Sequence, residues 1–571
     1  MPTTDNRASE RAGGVAGGPV LLVWCAFSLT VLALAFRHVS PEHFALFWDD
    51  ALFFKRVSYN VLHHGFAGWN QAEGPVFVNT SQLFQLLATL LLWLFPGNYN
   101  AAVTFWGALA LSASFPLLLR ATRAGLPGAL LLFCLLQAPP IVLSLTTGME
   151  TPTVVLVLAA FLLVALRAEA PEAIVRRLAA GQLLVYAVRP DAILLSFTLV
   201  AVLLVSRAAW RPLLRFVSWT ALGLLLLSAA FYAYYGTALP LSFFLKVSPL
   251  SIYDADYVHM GLVNKLQNVA QALLLILPLL PLMALRRDRL NLALSAAAAL
   301  FIAFHGLTTF EIAAYHARFY APALPLLFAA ALRGVPELKT LRRQAAAFAF
   351  GALAALVLWL AYERGWIENA GGYGPDIVTA AEYARYALGV PALALVLALG
   401  AGTRASWAAW LPAAWLPAAL ACGLAALQLK STLPRSWGIV SDEVSNTNTI
   451  GSHTADVGID VIRRCFEQPF QMTHSEIGLP GVFFLESRII DFTGLANRQV
   501  IDGSFDFESL CTDQRPEFVY RPHWTHRALN HRLDESACLA ENYTQVPLPR
   551  RASCPLLVRN DLVARYTDCS R

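Results

Sequence analysis

The sequence predicts an all-α polytopic membrane protein of about 13 transmembrane helices over residues 1–427, followed by a mixed α/β extracytoplasmic domain over residues 428–571. Three observations carry this prediction. Of the 571 residues, 57% are apolar and only 14% are charged, with a mean hydropathy of +0.55, whereas an average soluble domain is roughly a quarter charged. The apolar residues gather in many separate runs of about 17 to 25, the length that crosses a bilayer as helix, and such unbroken runs exclude a β-barrel. Long runs then stop near residue 427, and the remainder carries 15 basic and 18 acidic residues. Disorder and a soluble multidomain enzyme are both excluded, and nothing in the charge pattern suits nucleic acid. Arginine is the default base, the only lysines being Lys55, Lys246, Lys265, Lys339 and Lys430, so a lone arginine says less than a lysine on the outer side.

The first eighteen residues are polar, hold Arg7 and Arg11, and lead into the apolar run Pro19–Phe36 with no small-residue cleavage site, which reads as an uncleaved first span with a cytoplasmic N-terminus. Further spans fall near 99–119, 129–145, 153–166, 178–188, 191–205, 216–234, 263–285, 290–307, 317–332, 344–361, 386–400 and 405–427. The pair 178–188 and 191–205 is short and pivots at Arg189-Pro190-Asp191, as a tilted or re-entrant hairpin does. Gln82–Phe95, at fourteen residues, is short for a span, and charge decides its place. With it lying in the interface as a juxtamembrane helix, eighteen basic residues face the cytoplasm, Arg120, Arg123, Arg176 and Arg177 among them, against eight in outer loops before residue 428. This is the positive-inside pattern, and letting 82–95 cross would invert the basic loops.

An odd number of spans leaves the C-terminal domain outside. There Gly481–Leu485 and Ser487–Phe492 read as strands or buried segments among frequent Pro and Gly. Five of the eight cysteines, 465, 511, 538, 554 and 569, lie in this domain, where one or two disulfides are expected with the pairing left open.

Thirteen acids occupy the outer loops before the C-terminal domain, so any chemistry belongs to that face. In Phe47-Trp48-Asp49-Asp50-Ala51-Leu52-Phe53-Phe54, two adjacent carboxylates open a helix whose apolar positions 53, 54, 57 and 61 share helical spacing. They serve either as an N-cap or as a general base at the bilayer surface; a carboxylate pair also suits a divalent cation, although two ligands alone do not make a metal site. Thr147-Gly148-Met149-Glu150-Thr151-Pro152 places an acid in a short outer turn, which needs its Gly and Pro in any case. Arg189 and Asp191 are costly at a membrane pivot unless they pair or face a cavity. Lys246, among aromatics after the span at 216–234, either snorkels to water or holds a lipid phosphate, and Arg318 in His316-Ala317-Arg318-Phe319-Tyr320 stands where it can share such a phosphate.

The order of these segments resembles the GT-C superfamily of polyprenyl-phosphate-sugar-dependent glycosyltransferases, in particular the branch containing the mycobacterial terminal beta-(1→2)-arabinofuranosyltransferase. The matching residues are Trp48-Asp49-Asp50-Ala51, Asn60, Gly65, Asn79-Thr80-Ser81, Thr147-Gly148-Met149-Glu150-Thr151, Arg189-Pro190-Asp191, Tyr235-Gly236 with Pro240 and Lys246, and Arg318-Phe319 with Pro322 and Pro325, then Glu476-Ile477-Gly478 and Asp491-Phe492-Thr493-Gly494-Leu495. The resemblance implies a GT-C fold with juxtamembrane helices in the first outer loop, a polyprenyl-phosphate sugar as donor and an envelope glycan or glycolipid as acceptor. It assigns the general base to Asp49 or Asp50, with Asp49 preferred. Glu150, with Arg189 and Asp191, would orient the acceptor or assist the base, while Lys246 and Arg318 would hold the departing phosphate. The chain departs from the pattern at Leu52, where the branch has Tyr, and at Gln71-Ala72-Glu73-Gly74, where it has a Gly-Glu pair, so the sugar is left open. The implied location is the bacterial inner membrane. A non-enzymatic lipid or polysaccharide transporter is the main alternative, yet transporters carry internal repeats and mid-membrane charges, and this chain shows no repeat and an outer belt of acids.

Overall fold

A computed structural model describes residues 17–38, 49–136, 138, 141, 143–145, 147–167, 171–206, 209–247, 276, 279–308, 319–337, 452–522, 527–546 and 555–570. The expected spans at 344–361, 386–400 and 405–427, and most of 263–285, lie outside these residues.

Four described helices are long and apolar enough to cross a membrane: α1 (Gly17–His38), α4 (Tyr99–Thr122), α9 (Trp210–Tyr235) and α12 (Arg289–Thr308), while α5 (Leu126–Leu135), α6 (Thr151–Leu166), α8 (Ile193–Ser206) and α13 (Leu324–Gly334) are shorter apolar helices. The helix preceding the Arg189 pivot, α7 (Pro171–Val188), starts seven residues before the apolar run that predicted it, because its first two turns hold Arg176 and Arg177 and are helical without being apolar. One large apolar core joins these helices. Where lipid offers no hydrophobic incentive to associate, small residues and interhelical hydrogen bonds set the fit. Accordingly the Trp24 indole donates to the Ser112 carbonyl at 2.9 Å, Ser28 and Ser112 hydroxyls meet at 2.6 Å, and Phe27 stacks on Phe115. A Cβ on Gly107 would stand 3.2 Å from Leu145 and 3.4 Å from Pro152, so this glycine lets the start of α6 approach α4.

The loop between α1 and α4 carries α2 (Asp49–His64) and α3 (Gln82–Leu94), the two helices expected there. Helix α2 is apolar on two sides for two different neighbours. Ala51, Leu52 and Phe54 bury against Phe84, Ala88, Leu91 and Leu92 of α3 and Tyr99 and Val103 of α4, whereas Phe53 and Val57 enter the core of the C-terminal domain.

That domain is mixed α/β, as expected. Strands β1 (Gln471–His474), β2 (Arg488–Asp491), β3 (Phe518–Tyr520), β4 (Tyr543–Val546) and β5 (Leu556–Arg559) form one sheet in the order β2-β1-β3-β5-β4. The β2-β1-β3 part is parallel, and β5 runs antiparallel between β3 and β4. Disulfides Cys465–Cys569 and Cys511–Cys538 join helical segments around this sheet to one another, across 104 and 27 residues of chain; by loop entropy such links restrict the unfolded chain by about 3–5 kcal/mol each. Ser487–Phe492 contains β2, but Gly481–Leu485 is not a strand: it is the end of helix α14 (Gly478–Phe483) and the residues following it.

The helix ends there because Arg56 of α2 takes its carbonyls. The buried Arg56 guanidinium donates from Nε to Trp69 O (2.8 Å), from Nη1 to Gly481 O (2.6 Å) and Phe484 O (3.0 Å), and from Nη2 to Ser487 O (2.8 Å) and Asn70 Oδ1 (3.3 Å). All five N–H groups of an arginine are thereby used. Burial pushes its pKa down to about 9, opposed by the charges of Glu73 and Glu486, so it stays a cation at neutral pH. Beside it Asn70 accepts from Ile489 N (2.9 Å) and donates to Ile489 O (3.0 Å), covering the open edge of β2 as another strand would. Arg488 pairs with Glu73 at 3.1 Å, and the Tyr59 hydroxyl donates to Glu486, a bond that holds the Glu486 carboxyl below its usual range and pushes the phenol up to about 12.

Candidate functional site

Three of the residues singled out in the sequence meet at one end of the helix bundle. Gly148, at φ +70°, permits the turn before α6, and Thr147 braces it by donating to Ser144 O (3.1 Å) and accepting from Met149 N (3.3 Å). Glu150 then caps α6 with its carbonyl, which accepts from Val154 N at 3.0 Å, and Pro152 stands in the first helical turn where its missing N–H costs nothing. The Glu150 side chain is thus fixed at its backbone and buried, at 5% exposure.

Its Oε1 lies 3.6 Å from Arg189 Nη1, while Oε2 is buried with no hydrogen-bond partner among the described residues. Arg189 follows the last turn of α7, and its Nε donates to both oxygens of Asp191, at 2.9 and 3.1 Å, so the pairing expected from the pivot sequence forms. Asp191 Oδ2 also meets His305 Nε2 at 2.9 Å. Phe319 closes the group: the Arg189 guanidinium lies 5.4 Å above its ring, and His305 is 5.9 Å from it. The result is a chain of alternating charge, Glu150 to Arg189 to Asp191 to His305, drawn from three separate helix ends. Buried charge persists only when paired, and half of the Glu150 carboxylate is left over. That oxygen is what the arrangement can offer to a hydroxyl.

Asp49 and Asp50 form the first turn of α2, as the sequence predicted, and Asp50 is half-buried; the Asp49 side chain is not among those described. Met149, next to Glu150, packs on the apolar cluster that joins α2, α3 and the start of α4. Lys246 lies in the short helix α10 (Leu241–Val247), anchored by Leu241 N donating to Phe77 O at 2.9 Å, and its side chain is outside the described set. Arg318 also lies outside the described residues, immediately before Phe319.

His305 is the member of the cluster that the sequence reading missed, and Phe319, quoted there only within the Arg318-Phe319 motif, was given no role. A histidine inside an otherwise apolar span was the available signal, since an ionisable group there marks a site by default. Conversely, the Asp491-Phe492-Thr493-Gly494-Leu495 motif is a turn. The buried Asp491 accepts from Thr493 N (2.7 Å), Thr493 Oγ1 (2.6 Å) and Ala496 N (2.7 Å), and Gly494 supplies φ +93°. Among the described residues no three His, Cys, Asp or Glu side chains gather as a metal site.

In fold the chain is similar to two crystal structures of ArnT from Cupriavidus metallidurans. The one bound to undecaprenyl phosphate matches with a TM-score of 0.57 at 16% identity, over 93% of this chain and 97% of that one. The apo state matches with a TM-score of 0.50 at 16% identity, over 93% and 96%. No family model matches the chain, and no curated protein matches it. Mostly helical, with several apolar helices and a small C-terminal sheet, the chain therefore shares the ArnT fold over nearly its whole length.

Proposed function

We propose that the chain is an integral membrane glycosyltransferase of GT-C type that moves a sugar from a polyprenyl-phosphate donor to a hydroxyl of an envelope glycan or glycolipid. The observation that carries this reading is the buried Glu150–Arg189–Asp191–His305 chain with its unpaired Glu150 oxygen, in a fold shared with a protein whose structure holds undecaprenyl phosphate. In this reading it sits in a bacterial inner membrane with its N-terminus cytoplasmic and its C-terminal domain outside. The arabinofuranosyl branch rests on sequence motifs alone and is the finer part of the proposal.

The chemistry is an inverting displacement. The Asp49 carboxylate removes the acceptor hydroxyl proton as the oxygen forms its bond to the anomeric carbon. The bond from that carbon to the phosphate oxygen breaks, and the electron pair leaves with the polyprenyl phosphate. No acid is needed at the leaving group, because a phosphate departs as a stabilised anion, which Lys246 and Arg318 would neutralise. Glu150, with its unpaired oxygen, would accept a second acceptor hydroxyl and fix its approach, its own position set by Arg189 and through it by Asp191 and His305.

Asp49→Asn in the full-length protein should lower transfer from a polyprenyl-phosphate sugar by at least about a hundredfold, the usual scale of general-base loss, while the melting temperature stays within a few degrees. Full turnover in both Asp49→Asn and Asp50→Asn would sink the assignment and the enzyme class with it. Mass spectrometry of lipid co-purified with the wild type should find a polyprenyl phosphate.

A further inference from the structure

A second concave site lies away from the Glu150 cluster, where the first outer loop, the end of α9 and the C-terminal domain converge. It is a cleft of about 250 Å³. Its membrane-side wall is apolar and flat: Phe77 stacks on Tyr235 at 4.6 Å with the planes 18° apart. Its opposite wall holds two arginines of the C-terminal domain. Arg488 donates to Glu73 Oε1 from Nε and Nη2 (3.2 and 3.1 Å) and to Gln471 Oε1 from Nη1 (3.2 Å), so it is oriented and its charge is matched. Arg498 is exposed and has no hydrogen bond or ion pair among the described residues. The net charge that Glu73, Arg488 and Arg498 bring to the lining is therefore one positive unit.

Two details show room kept for a ligand rather than a surface left bare. Arg498 Nη1 would lie 2.9 Å from a Cβ on Gly236, whose φ of +71° also favours glycine, so the guanidinium reaches over a backbone that has no side chain to obstruct it. Thr237, on the same turn and lining the cleft, has a buried hydroxyl with no partner among the described residues, and an unpaired buried hydroxyl is costly unless something fills the space beside it. An aromatic platform suits the C–H face of a sugar, a hydroxyl suits its oxygens, and an unmatched guanidinium suits a phosphate or carboxylate in a forked geometry.

We propose that this cleft binds the anionic group of a saccharide ligand, with Arg498 as the charge partner, Thr237 as a hydrogen-bonding partner and the Phe77–Tyr235 pair as the sugar platform. The proposal rests on the transferase reading for the presence of such a ligand. The anion has two sources, a phosphate or carboxylate on the acceptor glycan, or the phosphate of the donor lipid. The second is close in space, since Leu241 on the cleft begins helix α10, which carries Lys246 five residues on, about 7.5 Å along a helix axis.

The test is binding to full-length protein in phosphatidylcholine nanodiscs, with glucose 1-phosphate, glucose and undecaprenyl phosphate as probes. Wild type should hold glucose 1-phosphate more tightly than glucose, in a salt-dependent way. Arg498→Ala should weaken glucose 1-phosphate by about tenfold or more, as expected for a lost charge-assisted contact, and Arg498→Lys should restore part of it; Thr237→Val should weaken it further. If Arg498→Ala leaves undecaprenyl phosphate untouched, the anion belongs to the acceptor; if it weakens both, it is the donor phosphate, and either result supports the cleft. Equal affinities of wild type and Arg498→Ala for both anionic probes, in proteins of matching melting temperature, would overturn it. Binding is read without turnover, so failure of the Asp49 and Asp50 variants to lose activity would refute the transferase and not the cleft, while an indifferent Arg498 would refute the cleft alone.

Discussion

At the scale of single residues, buried polar groups do most to define this molecule. Glu150 and Asp191 both depend on Arg189, whose planar fork lies flat against one carboxylate while reaching the other; a lysine, a point charge on a flexible stem, could not hold both orientations. His474, at the end of β1, is a different case. Its Nδ1 accepts from Glu476 N at 2.8 Å, which leaves the proton on Nε2 in a site with no hydrogen-bond partner for it among the described residues. Burial pushes its pKa down from 6.5 to about 3. The unfolded chain takes up a proton below about pH 6.5 that the folded domain refuses, so the stability His474 allows is present above that pH and is lost as pH falls toward 3, by up to about 1.4 kcal/mol per pH unit. Thermal unfolding of the full-length protein at pH 7, 6 and 5 should show this slope, and His474→Gln should flatten it relative to wild type. A slope unchanged by that substitution would remove His474 as the cause.

At the scale of elements, what could be read in advance was local. Asp49-Asp50 opening a helix, the Gly148 turn, the Arg189–Asp191 pair and a disulfide-containing α/β domain all follow from residues within a few positions of one another. What could not be read depends on distant partners. Arg56 looked like one more outer charge, because its meaning lies in the carbonyls of Gly481, Phe484 and Ser487. His305 went unmarked inside the expected span 290–307, because Asp191 is more than a hundred positions away. The cysteine pairing and the helical end at Gly481 were hidden for the same reason. The interlock between α2 and α14 is also a tightly packed junction of the fold. A Cβ on Gly481 would fall 2.6 Å from the Trp69 ring and 3.0 Å from Arg56 Cδ, with both neighbours buried and immobile. Gly481→Ala should therefore destabilise the domain contact by about 1–3 kcal/mol, the cost of overpacking, seen as a lower melting temperature and faster proteolysis of the C-terminal domain. Unchanged values would show that the two elements can part without loss.

At the scale of the whole molecule, the sorting of arginines toward one side remains a statement about orientation that side-chain contacts support only at the helix ends. Arg167 donates to Arg120 O at 2.8 Å, so the basic ends of α4 and α6 meet, and Arg333 and Arg286 share Asp288, so the start of α12 meets the basic end of α13. A single free cysteine at position 124 should react with a membrane-impermeant thiol reagent only when the cytoplasmic face is open, in a background lacking Cys25, Cys134, Cys422 and Cys554. Labelling of intact cells at 124 would reverse the assigned orientation.

The five bonds of Arg56 also set an order of events during synthesis. Its guanidinium and the Ser487 carbonyl are 431 residues apart in the chain, so the first outer loop is made and delivered long before the domain that satisfies it. Until then the Arg56 N–H groups that reach Gly481, Phe484 and Ser487 have only water, membrane surface or a helper protein as partners. A nascent chain stalled before residue 452 should leave that loop open to protease, and release of the full chain should close it, which makes completion of the last domain the step that locks the first loop into shape.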